Sequence, residues 1–354
     1  MMETFVKAHA DELLALTKEL CAIPAPLGGE QARAEFVKAW LEARGFTPEI
    51  DGAGNVVFST GEHPAVLLMA HLDTVFPPET PLVCREEGKK LICPGIGDDT
   101  VHVAMLLFTA LYAKEQGIPL LFAANTGEEG QGNLRGCREL MNTFGAGLRA
   151  VVTYDSYLPK INTVAVGSER YRIVAETAGG HSYRDFGAQN AIAILGNVIA
   201  ALDAQPVAES ATYNFGTVSG GTSVNTIAAH AELLYEFRSD RADSLAQMRA
   251  QMKAILKDFP VRAETLGIRP CGRVDERKQE ALVQKALAAF EGQPAPERQP
   301  GSTDCNLPLS MGIPAVCVGL VHGGGAHTTE EFILPESIPT GLSVALRLAE
   351  QFRE

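Results

Sequence analysis

The chain has 354 residues, 46% of them hydrophobic, and a formal net charge of −13. That length suggests two domains with proper cores, and the acidic balance excludes a nucleic-acid footprint. Seven scattered cysteines (Cys21, Cys84, Cys93, Cys137, Cys271, Cys305, Cys317), odd in number and without a C-x-x-C pair, fit reduced thiols in a cytoplasmic protein. The charged N-terminal stretch has no signal-peptide pattern. The longest apolar run, Val103 to Ala113, is too short to span a bilayer, so no membrane partner is expected.

In chain order, residues 10–21 and 30–44 have helical apolar spacing, parted by the breaker run Pro24-Ala25-Pro26-Leu27-Gly28-Gly29. Residues 49–60 read as two short strands turning at Asp51-Gly52-Ala53-Gly54. Residues 65–74, AVLLMAHLDT, are an apolar run with no polar face, which predicts a strand buried on both sides of a mainly parallel sheet. It ends in His71-Leu72-Asp73. Residues two apart in a strand point the same way, so His71 and Asp73 can meet where open α/β sheets bind ligands. A loop, Pro94-Gly95-Ile96-Gly97-Asp98-Asp99, precedes a predicted helix over 100–116. A buried strand over 119–124 ends in Asn125-Thr126-Gly127-Glu128-Glu129-Gly130. A helix over 134–143 and a strand over 150–153, ending at Tyr154-Asp155, complete the alternation of a layered α/β domain.

The pattern changes around Gly167. Strands over 169–177, 212–219, 227–237 and 261–266, with helices over 188–202 and 239–257, give the β-α-β-β-α-β order of a ferredoxin-like sandwich. A helix over 276–290, a buried strand over 315–320 and a helix over 337–352 then complete the first domain. The expected organisation is a discontinuous catalytic domain, 1–166 and 275–354, with an inserted α+β lid and dimerisation domain, 167–274.

Strand ends of the first domain finish in His71, Asp98-Asp99, Glu128-Glu129 and Asp155, and His327 returns from the C-terminal segment. Two imidazoles and three carboxylates exceed the four ligands of one structural zinc. They suit two ions sharing one carboxylate, for which Asp98 is the choice, and a water. Imidazole favours zinc, with cobalt or manganese as alternatives, over magnesium or calcium. One carboxylate of the Glu pair would bind metal while its neighbour, held off it, takes the proton from the bridging water.

His71-Leu72-Asp73, Gly97-Asp98-Asp99, Gly127-Glu128-Glu129, Asp155 and Ala326-His327-Thr328-Thr329-Glu330-Glu331 together resemble, in order and spacing, the M20 metallopeptidases. These are two-metal hydrolases with a zinc-peptidase-like catalytic domain, among them peptidase T, dipeptidases, carboxypeptidase G2 and N-acyl-amino-acid deacylases. The resemblance implies that His71, Asp98 and Asp155 hold one metal and Asp98, Glu129 and His327 the other. It makes Glu128 the general base, has Asp73 orient His71, and implies a cis peptide between Asp98 and Asp99.

In the lid, Gly179-Gly180-His181-Ser182 resembles the family's histidine that contacts the scissile carbonyl of a neighbouring subunit, which implies a homodimer through the lids. Asn225 and Arg238 resemble positions that bind a substrate carboxylate or carbonyl. Gly301-Ser302-Thr303-Asp304 and Gly323-Gly324-Gly325 resemble substrate-pocket loops, so Thr303, Asp304 and Gly324 are expected at the substrate. The chain departs from many relatives in carrying Thr100-Val101-His102 where they have Lys-Gly-Gly or Lys-Ala-Gly, and His102 is expected to be packed or solvated. Asp at 155 is usual in the aminopeptidases and dipeptidases, Glu in the carboxypeptidases and deacylases. The expected activity is therefore cleavage of a small peptide as an aminopeptidase or di- or tripeptidase. Hydrolysis of an N-acyl amino acid, or carboxypeptidase action, is the alternative.

Overall fold

Six consecutive buried residues, Val66–His71, form the strand on which the larger part of the molecule is built. Val66, Leu68 and Ala70 face one core, and Leu67 and Met69 face a second core on the other side of the sheet. That is the period-2 alternation of a strand covered on both faces, and it explains why the sequence shows no polar side. The structure is a computed structural model describing residues 1–353. It divides into two units, Met1–Ala165 with the segment from Arg273 onward, and Val166–Gly272.

The first unit holds an eight-stranded sheet in the order Glu49–Ile50, Val56–Ser59, Leu121–Asn125, Val66–His71, Ala150–Tyr154, Ala315–Val318, Lys160–Ala165, Glu297–Gly301. Its four inner strands run parallel, and the neighbours on either side of them are antiparallel. Helices Met2–Cys21, Val101–Gln116 and Ile338–Glu350 pack together on one face; Arg135–Phe144 and Asn306–Ser310 lie in the core of the other. Val101–Gln116 is buried almost all round because it lies between the sheet and the other two helices. It ends at Gly117, whose φ of 65° is the left-handed cap that a Cβ would oppose.

Several elements differ from the sequence expectation. The first helix starts at Met2 rather than near residue 10, because Phe5 and Val6 join the core. Lys160–Ala165 and Glu297–Gly301 are strands beyond those expected from the sequence. So are four short strands, Arg85–Glu87, Lys90–Ile92, Gly323–Gly324 and Phe332–Ile333, which form a small separate sheet. At two or three residues each they carry no readable periodicity, and long-range pairing alone defines them.

The second unit is a four-stranded antiparallel sheet. In chain order its long strands are Gly167–Glu176, Ala211–Gly220, His230–Ser239 and Val261–Arg269, and in space they lie second, third, first, fourth as Ala211–Gly220, His230–Ser239, Gly167–Glu176, Val261–Arg269. Helices Ala191–Asp203 and Ala242–Leu256 cover one face over Ile173, Leu233, Tyr235 and Phe237. The other face carries charges, with Arg170 paired to Glu236 at 3.4 Å and Arg172 to Glu264 at 3.7 Å. Asn190 caps the first helix by accepting the Ile192 N–H at 2.9 Å.

Candidate metal centre

The C-terminal ends of the parallel strands bring the first unit's imidazoles and carboxylates to one place. His71 Nε2 lies 3.0 Å from Asp98 Oδ1, and the other carboxylate oxygen, Oδ2, lies 3.2 Å from His327 Nε2. His327 Nε2 in turn stands 3.0 Å from Glu129 Oε1. Asp98 thus presents one oxygen to each imidazole, the disposition of a shared ligand. Donor atoms of His71, Asp98 and Asp155 lie within 4.8 Å of one another, as do those of Asp98, Glu129 and His327. A third set, His71, Glu128 and Glu129, places Glu128 beside the same centre.

The loops are held from behind. Asp73 accepts the main-chain N–H groups of Glu128 at 3.1 Å and Glu129 at 2.8 Å, while Asp99 Oδ2 accepts that of His71 at 2.8 Å. Nδ1 of His71 meets the Asp73 carbonyl oxygen at 3.0 Å, and the nearer Asp73 carboxylate oxygen is 3.7 Å away. The Asp73 carbonyl is thus the nearer partner of the His71 ring, while the Asp73 carboxylate is engaged by the Glu128-Glu129 turn. His102 is fully buried, its Nδ1 3.1 Å from the Gly97 carbonyl and 2.7 Å from Asp99 Oδ1, its Nε2 accepting the Leu320 N–H at 3.2 Å. Burial pushes its pKa down to about 4, so it is neutral and structural. The Asp98–Asp99 peptide bond is cis, and His327 sits at φ 64°, a left-handed conformation unusual for a non-glycine residue.

Glu331, at the end of the Ala326–Glu331 motif, reaches the loop that carries Asp98. Its fully buried carboxylate accepts from the N–H groups of Gly95 (2.8 Å), Gly97 (2.9 Å) and Asp98 (2.7 Å) and from the Tyr157 hydroxyl (2.9 Å). It fixes the loop that carries Asp98. A second acidic residue four positions after His327, next to the apolar Phe332-Ile333, was the only signal of it; Tyr157 gave none.

Thr303 and Asp304 lie in the core of the first unit. Both are buried: Asp304 accepts from Asn125 Nδ2 at 2.6 Å and Thr303 Oγ1 from the Cys305 N–H at 3.2 Å. Asp304 braces the strand end at Asn125, and Thr303 caps the turn into Asn306. Gly324 pairs with Phe332 in the small sheet, three residues before His327. In the second unit, His181 is exposed and pairs with Thr226, which brings it beside Asn225; the Ser182 N–H donates to the Asn225 carbonyl at 3.0 Å. His181 Nδ1 accepts the N–H groups of Tyr183 (3.2 Å) and Arg184 (3.4 Å), which assigns the ring proton to Nε2. Arg238 is held by Glu236 at 3.0 Å.

The electrostatics test whether this donor set fits cations. Burial, then repulsion from Asp98 and Asp99, pushes Asp155 up to about 8. Burial raises Asp99 well above the carboxylate range against the pull of His71. Burial would also raise Asp98, but hydrogen bonds with His327 and His71 overcome it and hold Asp98 low. Hydrogen bonds with Asp98 and Glu129 lift His327 to about 10. A cluster buried or half-buried except at His327, with more acids than its imidazoles can neutralise and with nitrogen and oxygen donors, fits divalent cations.

A mixed α/β sheet with an imidazole–carboxylate centre at its strand ends is the architecture of a metallohydrolase. The family model for Peptidase family M20/M25/M40 matches residues 67–351, and the chain belongs to that family. Carboxypeptidase G2 of Pseudomonas sp. (strain RS-16) is 26% identical over 356 residues, covering 90% of this chain and 83% of that one. A LysW-lysine hydrolase of Deinococcus radiodurans is 40% identical over 74 residues, 21% of this chain and 20% of its own length. Two further curated relatives are matched over 34% and 59% of their length. In fold, the chain is similar to a tripeptidase of Staphylococcus aureus at TM-score 0.80 and 23% identity, over 97% of this chain and 98% of that one. No helix among the described residues is long and apolar enough to cross a membrane.

Proposed function

We propose that the protein hydrolyses the amide bond of a small peptide, as an aminopeptidase or di- or tripeptidase, using a two-metal centre. The observation that carries this is Asp98, one oxygen toward each of His71 and His327. His71, Asp98 and Asp155 would hold one divalent ion and Asp98, Glu129 and His327 the other, zinc first and cobalt or manganese as alternatives. Bound there, the ions would supply Lewis acidity toward the amide carbonyl and lower the pKa of water.

The remaining steps belong to the chain's own groups. Glu128 takes the proton of the attacking water and returns it to the leaving amine; its position is set by Asp73, which holds its N–H. His181, with Nε2–H directed away from its own turn, donates to the developing oxyanion of a partner subunit's substrate in a lid-mediated homodimer. Asn225 lies beside it, and Arg238 offers a guanidinium for a substrate carboxylate or carbonyl.

Asp155 supports a free-amino substrate through the family pattern, and the tripeptidase likeness agrees with short peptides. The match to carboxypeptidase G2 over 90% of the chain favours one second reading, carboxypeptidase or N-acyl-amino-acid hydrolysis. All seven cysteines are free, which fits a reducing cytoplasm. The test is a panel of free-amino di- and tripeptides against N-acyl amino acids on zinc- or cobalt-loaded protein, with Glu128→Gln as control. That variant should keep its metals and lose roughly 10²–10⁴-fold in turnover. Full turnover in a metal-replete Glu128→Gln protein would remove Glu128 from the base role; preference for N-acyl substrates would select the second reading.

A further inference from the structure

Three of the seven cysteines meet in the fold, far apart in sequence and apart from the centre just described. Sγ atoms of Cys21, Cys84 and Cys93 all lie within 4.8 Å of one another. Cys21 ends the helix Met2–Cys21, Cys84 immediately precedes the strand Arg85–Glu87, and Cys93 directly follows Lys90–Ile92. Cys21 and Cys93 are buried, while Cys84 is half-buried at the surface, between exposed Val83 and Arg85. We propose that these three cysteines form a separate binding site for one thiophilic metal ion.

The distances suit it. Sulfurs bound tetrahedrally at about 2.3 Å stand roughly 3.8 Å apart, so closure needs movements of no more than about 1 Å. Thiolates select soft or borderline cations, zinc and cuprous copper above all, over the hard ions. The half-exposed Cys84 supplies a path for entry and an open side where water completes the coordination.

A second observation is a buried cation beside them. Arg33 is 1% exposed, and its guanidinium donates only to neutral groups: the Ile23 carbonyl (2.7 Å), the Leu72 carbonyl (2.9 Å) and the Thr100 hydroxyl (3.2 Å). No carboxylate among the described residues lies within ion-pair reach of it. A buried cation without a counter-charge is costly. Burial works against its charge, and the groups that support it are Cys21 first, then Asp73 and Cys93. Three thiolates around a divalent ion carry one net negative charge, which would add to the support Arg33 has from Asp73. Lys18, one turn before Cys21, adds a second cation near Cys84 and is itself paired with Glu86 at 2.9 Å.

Occupancy would tie the end of the first helix to the hairpin and to the loop that starts at Cys93, whose N–H donates to the Glu331 carbonyl at 3.0 Å. The site therefore sits behind the loop that presents Asp98 but shares no ligand with it.

The test is anaerobic titration of the fully reduced protein with Co²⁺. Thiolate-bound cobalt gives near-ultraviolet charge-transfer absorption that an imidazole–carboxylate centre cannot produce. The expected result is a third cobalt equivalent accompanied by that band, with both lost in Cys84→Ser while the other two equivalents and turnover remain. Binding of two equivalents with no band would overturn the proposal. A band undiminished in Cys84→Ser would overturn it too, by assigning the thiolates to Cys137, Cys305 or Cys317. If that variant does not fold, iodoacetamide mapping of the wild type decides: Zn²⁺ should abolish alkylation of Cys84, and unchanged alkylation refutes the site.

Discussion

His71 and Asp73 are joined through the main chain of the second residue: Nδ1 of the ring lies 3.0 Å from the Asp73 carbonyl oxygen and 3.7 Å from its nearer carboxylate oxygen. The freed carboxylate anchors both N–H groups of the Glu128-Glu129 turn. One residue thus contacts the imidazole of a proposed metal ligand with its backbone and holds the turn of the proposed base with its side chain.

Asp73→Asn separates those two functions. The carbonyl that orients His71 remains, but an amide NH₂ now faces one of the two N–H donors. Metal content after dialysis should be unchanged, while kcat falls roughly 10–100-fold, the usual cost of losing such a support. Loss of metal in this variant would show that the carboxylate, not the carbonyl, governs His71.

Glu331→Gln should act on the metals instead. Its carboxylate gathers three N–H groups and the Tyr157 hydroxyl. An amide cannot accept at both of its termini, so the Asp98 loop loses its clamp. Metal affinity measured by titration calorimetry should drop by about 10–100-fold. Tyr157→Phe removes one of the four hydrogen bonds and should cost only about 1 kcal/mol of stability by chemical denaturation.

Metal binding should release protons. Without metal, hydrogen bonds with Asp98 and Glu129 raise His327 to about 10, from an ordinary value of 6.5, so its imidazolium is the cation between those carboxylates at neutral pH. A metal must displace that proton, and affinity should rise between pH 6 and 9. For the metal-free protein the sign runs with the raised pKa. The stabilisation from His327 is complete below pH 6.5 and is lost as pH rises through about 10. Titration in weak buffers reads the released protons directly; a pH-independent affinity would contradict the arrangement.

His181→Ala should retain metals and lose turnover, by ~3–4 kcal/mol in the barrier if the ring donates to the oxyanion. Mixing it with Glu128→Gln under conditions of subunit exchange tests the proposed dimer. Each mixed dimer would contain one site with both wild-type groups, so partial activity should return. Proven exchange without recovery places His181 in its own chain's site or outside catalysis.

Much of this was legible in the sequence. The unbroken apolar run before His71 specified a strand covered on both faces, and the six residues of Val66–His71 are all buried. Apolar runs also marked the strands that end near Asp155 and the Glu pair. The α/β class and the ferredoxin-like order after Gly167 followed from where periodicity changed. These properties are local: burial pattern, chain direction and the residue at a strand's end are written within a few neighbouring positions.

Tertiary structure alone decided which atoms meet. Asp304 meets Asn125, nearly 180 residues earlier in the chain, and both are buried. Glu331 reaches a loop more than two hundred residues earlier in the chain through strands too short to show a pattern. Cys21, Cys84 and Cys93 have no common spacing and converge only because a helix end and both sides of a hairpin pack at one point. Sequence determines which residues each element can offer, because that depends on local periodicity. Their partners are fixed by the packing of elements distant in the chain, and no local pattern records that.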